Sequence, residues 1–64
     1  MRDYRRLWRE AYSFQDRHKG QTPQDWPAVD ADMRATLHRN GDDLFLAALL
    51  ASVFEELERE SRQP

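Results

Sequence analysis

Cysteine is absent from this chain, glycine occurs twice and proline three times. Without thiols, neither a disulfide framework nor a thiolate metal site can reinforce a small core. The lack fits a reducing compartment. Two glycines are too few for a glycine-rich phosphate loop, and no nucleophile motif occurs. No segment alternates with strand period, and no internal repeat, low-complexity tract or linker interrupts the chain. The longest uncharged apolar run, Leu44 to Phe54, falls well short of the ~18 residues a membrane span needs. The opening MRDYRRLWRE interleaves arginines and acids where a secretory signal would carry its apolar segment. No such signal is therefore expected, and a cytoplasmic location is.

What is present is a short, highly charged chain with a disproportionate apolar payload. Its 64 residues allow one domain, since a chain of this size buries only roughly 60% of the surface its unfolded form exposes. Seven aromatics, Trp8 and Trp26 among them, exceed what a disordered segment of similar charge density carries, so the chain is expected to fold. The net charge of −2 argues against gross nucleic-acid binding, yet the charges are unevenly spread. Residues 1–20 hold six basic and three acidic side chains, whereas residues 21–64 hold four and nine.

The periodicity predicts three helices, over about 3–19, 23–40 and 43–61. In the first, Asp3 is the N-cap, and Tyr4, Leu7, Trp8, Ala11 and Phe14 recur at three and four residues. Lys19 and Gly20 supply a cationic, left-handed stop. Thr22 followed by Pro23, with Asp25 three residues after the threonine, reads as the start of the second helix. Pro27 cannot donate to the carbonyl of Pro23, so that helix can instead begin nearer Trp26. Trp26, Val29, Met33 and Leu37 form its apolar row, and Asn40 and Gly41 end it. Asp42 or Asp43 caps the third helix, whose tail pairs Glu55 with Arg59 and Glu58 with Arg62 in the favourable order. Three helices joined by short turns predict an all-α three-helix bundle spanning residues 1–64.

The stretch LFLAALLASVFEEL, Leu44 to Leu57, looks uniformly apolar but separates on a helical wheel. Phe45, Leu46, Leu49, Leu50, Val53, Phe54 and Leu57 share one half, an arc wide enough to contact two neighbouring helices. The first helix is expected to cover them with Tyr4, Leu7, Trp8, Ala11, Phe14 and Tyr12. Leu44, Ala47, Ala48 and Ala51 lie on the other side, a strip that is either an ordinary solvent face or a docking surface for a protein or a second copy.

A second candidate surface is the polar side of the first helix, where Arg2, Arg5, Arg6, Arg9 and Arg17 fall within an arc of about 120°. Arginine's planar fork suits phosphate and carboxylate. The bland alternative is a solvated face, with Arg6 and Glu10 in i,i+4 register. A helix-turn-helix reading fails because the exposed positions of the third helix are alanine and glutamate, not the basic or amide residues a recognition helix needs. Nucleic acid would have to bind by backbone contact to the first helix, weakly and without sequence choice. A membrane-surface role would need the same apolar face that the core requires.

Chemistry-bearing residues are sparse. His18 and His38 stand twenty residues apart with no ligand spacing around them, and each falls near a helix C-terminus, where the helix dipole favours it. Asp30 and Asp32, two apart on a helix, point in different directions. No catalytic residue, cofactor, metal or small-molecule ligand is expected, and the chain is read as not an enzyme.

The segments DYRRLWREAYSFQDRH, DW at residues 25–26, ADM at Ala31 to Met33, and FLAALLASVFEELERE resemble a set of short, functionally uncharacterised proteins encoded on conjugative and phage-like mobile elements of gut bacteria. Pro27 departs from the smooth second helix expected there. The resemblance implies a small accessory gene product and carries over no activity or site residue. The reading is a protein-interaction module that binds a partner or itself; the alternative is a weak nucleic-acid accessory factor using the arginine face. A labelled duplex titrated at about 50 mM salt, where backbone contacts are strongest, separates the two, and no binding is the expected result.

Overall fold

The first and third helices begin and end where their polar punctuation dictates. In the computed structural model, which describes residues 3–20 and 26–62, the helices are α1 (Tyr4–His18), α2 (Trp26–Arg39) and α3 (Leu44–Ser61). The Asp3 carboxylate accepts from the backbone N–H of Arg6 at 3.1 Å, meeting one of the donors a helix start leaves unpaired. At the other end of α1, the Lys19 N–H donates to the Gln15 carbonyl, and Gly20 takes φ +76°. The α1 and α3 bounds lie within one residue of expectation. Thr22, Pro23 and Asp25, the expected opening of the second helix, lie outside the described residues.

The α2–α3 turn is a Schellman stop. The Asp42 N–H donates to the Leu37 carbonyl at 2.9 Å and the Gly41 N–H to the His38 carbonyl at 3.0 Å, the paired bonds that satisfy a helix's last carbonyls. Gly41 (φ +72°) and Asp42 (φ +55°) are both left-handed, a conformation glycine adopts freely and aspartate tolerates. The Asn40 side-chain amide donates to the Thr36 carbonyl. Asp43 then caps α3, its Oδ1 accepting from the N–H groups of Phe45 and Leu46 at 2.8 and 3.1 Å.

The two short connections produce an up-down-up bundle. α2 runs antiparallel to α1, with Arg17 bonded to Asp32 near one end and Arg39 to Glu10 near the other. α1 and α3 are therefore parallel, and Tyr4 and Trp8 meet the edge of Phe45 at ring separations of 5.0 and 5.8 Å. α1 packs chiefly on α3. The core consists of Leu7, Ala11 and Phe14 from α1, Val29 from α2, and Leu46, Leu50 and Leu57 from α3. Half-buried Trp26, Met33, Leu37 and Phe54 close one side, with Trp26 lying 5.4 Å from the Phe54 ring. Each fully buried leucine or phenylalanine contributes roughly 1.5–3 kcal/mol.

The structure corrects three expectations. Of the aromatics assigned to the cover of the third helix, Tyr4 and Trp8 do pack on Phe45 but stay 50% and 57% exposed, and Tyr12 is 65% exposed. The row Leu7, Ala11, Phe14 already fills the ~100° a helix presents to one neighbour, and α2 lies beyond its other flank. Along α2, Trp26, Val29, Met33 and Leu37 meet the core as expected, and fully buried Thr36 joins them. Glu10 accepts from Arg39 across the α1–α2 interface at 3.3 Å, where pairing with Arg6 was expected. Arg59 pairs with Glu56, one turn away, in place of Glu55, whereas Glu58 and Arg62 meet as expected at 3.8 Å.

Two substitutions test this frame by chemical or thermal unfolding. Gly41→Ala, which forces a side chain into a left-handed backbone with open space around it, should cost about 1 kcal/mol. Leu46→Ala, at a fully buried site, should cost about 3 kcal/mol.

Candidate docking surface between the first and third helices

Tyr4, Trp8 and Tyr12 recur every four residues along α1 and form a flank beside the buried row. On α3, Phe45, Leu49 and Val53 recur every four residues and are half-buried on the flank that meets it. Because α1 and α3 are parallel, the two flanks run side by side, with Tyr4 and Trp8 packed on Phe45 at one end. Beyond that contact the surfaces diverge into an open groove of about 430 Å³ lined by Trp8, Ala11, Tyr12, Leu49, Ser52 and Val53, with Gln15 at its margin. Nearly all of this lining is apolar. Aromatic rings left half-exposed beside aliphatic side chains form a contiguous patch of the kind that marks interaction sites, in contrast to scattered single hydrophobes.

The opposite flank of α1 is closed by a polar cluster. The Arg17 Nε and Nη2 donate to Asp32 Oδ2 and Oδ1 at 2.9 and 3.2 Å, and Nη2 also donates to Thr36 Oγ1 at 3.3 Å. His18 Nε2 lies 2.6 Å from Asp32 Oδ2, and its ring sits against Phe14 at 5.0 Å. His18 Nδ1 is buried and has no hydrogen-bond partner among the described residues. Burial pushes the Asp32 carboxyl up, but the hydrogen bonds and positive charges of Arg17 and His18 outweigh it and hold the group below its ordinary value. Thr36 is fully buried, so its hydroxyl has no route to a substrate, and the cluster joins α1 to α2.

The residues singled out in the sequence fall around the groove without converging. Arg5, Arg6 and Arg9 are exposed on α1. Arg17 belongs to the cluster above, and Arg2 lies outside the described residues. Leu44 is 83% exposed, Ala48 and Ala51 are exposed, and Ala47 is half-buried on the flank turned towards α2. On the wheel, Arg5 and Arg9 stand next outward from Tyr12 on one bank of the groove, while Ala48 and Ser52 stand on the other. Of the arginine row and the alanine strip, only Arg5, Arg9 and Ala48 border the groove, and the groove itself was missed. Its signal was legible as two parallel i,i+4 rows, Tyr4–Trp8–Tyr12 and Phe45–Leu49–Val53, one turn off the buried rows.

His38 is exposed, its Nδ1 3.7 Å from Asp42 Oδ2, and Asp30 pairs with Arg34. Among the described residues no group of three or more His, Asp or Glu side chains is placed to hold a metal ion. No described helix is long and apolar enough to cross a membrane. The chain matches no protein-family model, no curated protein and no solved structure.

The Asp32 cluster yields a pH prediction. A carboxyl whose folded pKa is depressed adds stability above its unfolded pKa and loses it as pH falls through the folded one. Wild type should exceed Asp32→Asn by about 1 kcal/mol near pH 7, a modest figure because the pair is partly solvated. In urea unfolding the difference should shrink progressively below about pH 4. A difference that stays constant down to pH 2 would assign the effect to packing alone.

Proposed function

We propose that this chain is a small non-enzymatic interaction module whose docking surface is the aromatic groove between α1 and α3. The observation that carries the reading is the exposure of Trp8 and Tyr12 beside Leu49 and Val53, in a chain too short to leave apolar surface uncovered without cost. Burying one such aromatic against a partner withdraws much of its ~150–250 Å² from water, and Trp and Tyr bring rigid contact area with few rotamers to order. An accessory role, as the resemblance to mobile-element proteins implies, suits a binding surface without a catalytic constellation.

The groove displaces the alanine strip as the favoured surface, because alanines at Ala48 and Ala51 offer little area to desolvate. It also displaces the arginine row. With Arg17 engaged by Asp32, the described part of that row reduces to Arg5, Arg6 and Arg9, and so few backbone contacts support only weak, salt-sensitive nucleic-acid binding.

A photoreactive phenylalanine analogue placed at position 12 and, in a second variant, at position 51 tests the assignment in the organism that makes the protein. Crosslinked adducts are expected from position 12 and not from position 51. Adducts confined to position 51 would return the docking surface to the alanine strip.

A further inference from the structure

We infer that the occupant of the groove is a second copy of this chain, docked face to face with its helices antiparallel. The inference rests on the groove's being the docking surface and adds which partner fills it and in which orientation.

The argument starts from the length and symmetry of the face. Trp8 and Tyr12 stand either side of Glu10 on α1, and Leu49 and Val53 either side of Ala51 on α3. Parallel packing puts these two midpoints at nearly the same height, since Tyr4 and Trp8 both meet Phe45. A two-fold axis crossing the face at that height, perpendicular to the helices, lays α1 on α1 and α3 on α3. Trp8 of one copy then meets Tyr12 of the other, and Leu49 meets Val53. The same patch serves both partners, as a two-fold interface requires.

A two-fold axis parallel to the helices would bury the same side chains, so apolar area does not choose between the two arrangements. Charge does. The α1 bank carries Arg5 at one end, Arg9 at the middle, where the two copies of it flank the antiparallel axis, and Asp16 towards the other end, 3.4 Å from Lys19. Arg5 and Asp16 project in nearly the same direction on the wheel, three turns apart. In the antiparallel arrangement Arg5 of each copy faces Asp16 of the other, twice by symmetry. The exposed acids at the far end of α3, Glu55 and Glu60, are also brought to the arginine end of the partner. The parallel arrangement lays α1 of one copy on α3 of the other, so that Arg5 and Arg9 face the uncharged Leu44–Leu50 stretch and Asp16 faces the acidic Glu55–Glu60 end, where like charges repel.

The area is sufficient but small. Three half-exposed aromatics leave about 300 Å² per copy, and the half-buried aliphatic residues and Ala48 and Ser52 raise the total for both copies to roughly 1,000 Å², the lower end for a specific interface. The dimer should accordingly be reversible, with a Kd on the order of tens of micromolar. Its architecture is an antiparallel four-helix layer made of two α1–α3 pairs, with each α2 on the outside.

Sedimentation equilibrium of the full chain from about 1 µM to 1 mM reads the association directly, with circular dichroism reporting that each variant remains folded. A monomer–dimer equilibrium is expected, and Tyr12→Lys, at a position 65% exposed in the monomer, should raise Kd at least about tenfold without loss of helicity. Arg5→Glu and Asp16→Arg should each weaken the dimer about threefold or more, and the double variant Arg5→Glu/Asp16→Arg should regain most of the lost affinity. A monomer at every concentration, or a dimer indifferent to Tyr12→Lys, overturns the inference. A double variant no tighter than its two parents overturns the antiparallel orientation. A monomer that still crosslinks a different protein from position 12 removes the second copy while leaving the groove as the docking surface.

Discussion

The parallel packing of α1 on α3 is the contact on which the rest of the structure depends. Leu7, Ala11 and Phe14 meet Leu46, Leu50 and Leu57 in a seam that holds most of the fully buried apolar side chains. Ala11 is the small member of its row, which allows the helix axes to approach while leucine and phenylalanine fill the space on either side. Two parallel helices need a long return between them, and α2 is that return. It contributes one buried apolar residue, Val29, with half-buried Trp26, Met33 and Leu37 packed against the core, and it also meets α1 through Arg17, His18, Asp32 and Thr36 and through Glu10 and Arg39.

This division of labour explains why one side of the bundle is closed and the other open. The α1–α2 interface is held by charged and polar groups whose net contributions are modest once solvent is counted. The apolar flank of α1 is turned away from it. With only three helices, α2 can cover one of the two grooves that a parallel helix pair creates, and the aromatic rows of α1 and α3 line the other. An uncovered apolar groove carries a cost in a chain whose stability margin is small. The inferred pairing of two copies through this groove would offset that cost.

Much of the local structure was legible from residues alone, because helix ends are set by short-range chemistry. Asp3 and Asp43 cap, Gly20 and Gly41 take left-handed backbone, and the bounds of α1 and α3 follow to within a residue. The three-helix architecture follows from period and turn spacing. The wheel of α3 also separated its buried leucines from exposed Leu44, Ala48 and Ala51. The candidate surface was only half legible. Arg5, Arg9 and Ala48, which border it, were singled out among residues that lie elsewhere, while the aromatics that line it were assigned to the core.

Composition and periodicity therefore determined which segments are helical, where they stop and which side chains are apolar, since each of these is a property of a few neighbouring residues. Only the tertiary structure decided which of two adjacent apolar rows on α1 is buried. A helix wheel gives the angle between Leu7 and Trp8 but not the direction from which α3 arrives. That direction is set by how three helices share one core, and the partners within it lie tens of residues apart in the chain. The same holds for Arg17, which the wheel grouped with the solvent-facing arginines and the fold gave to Asp32.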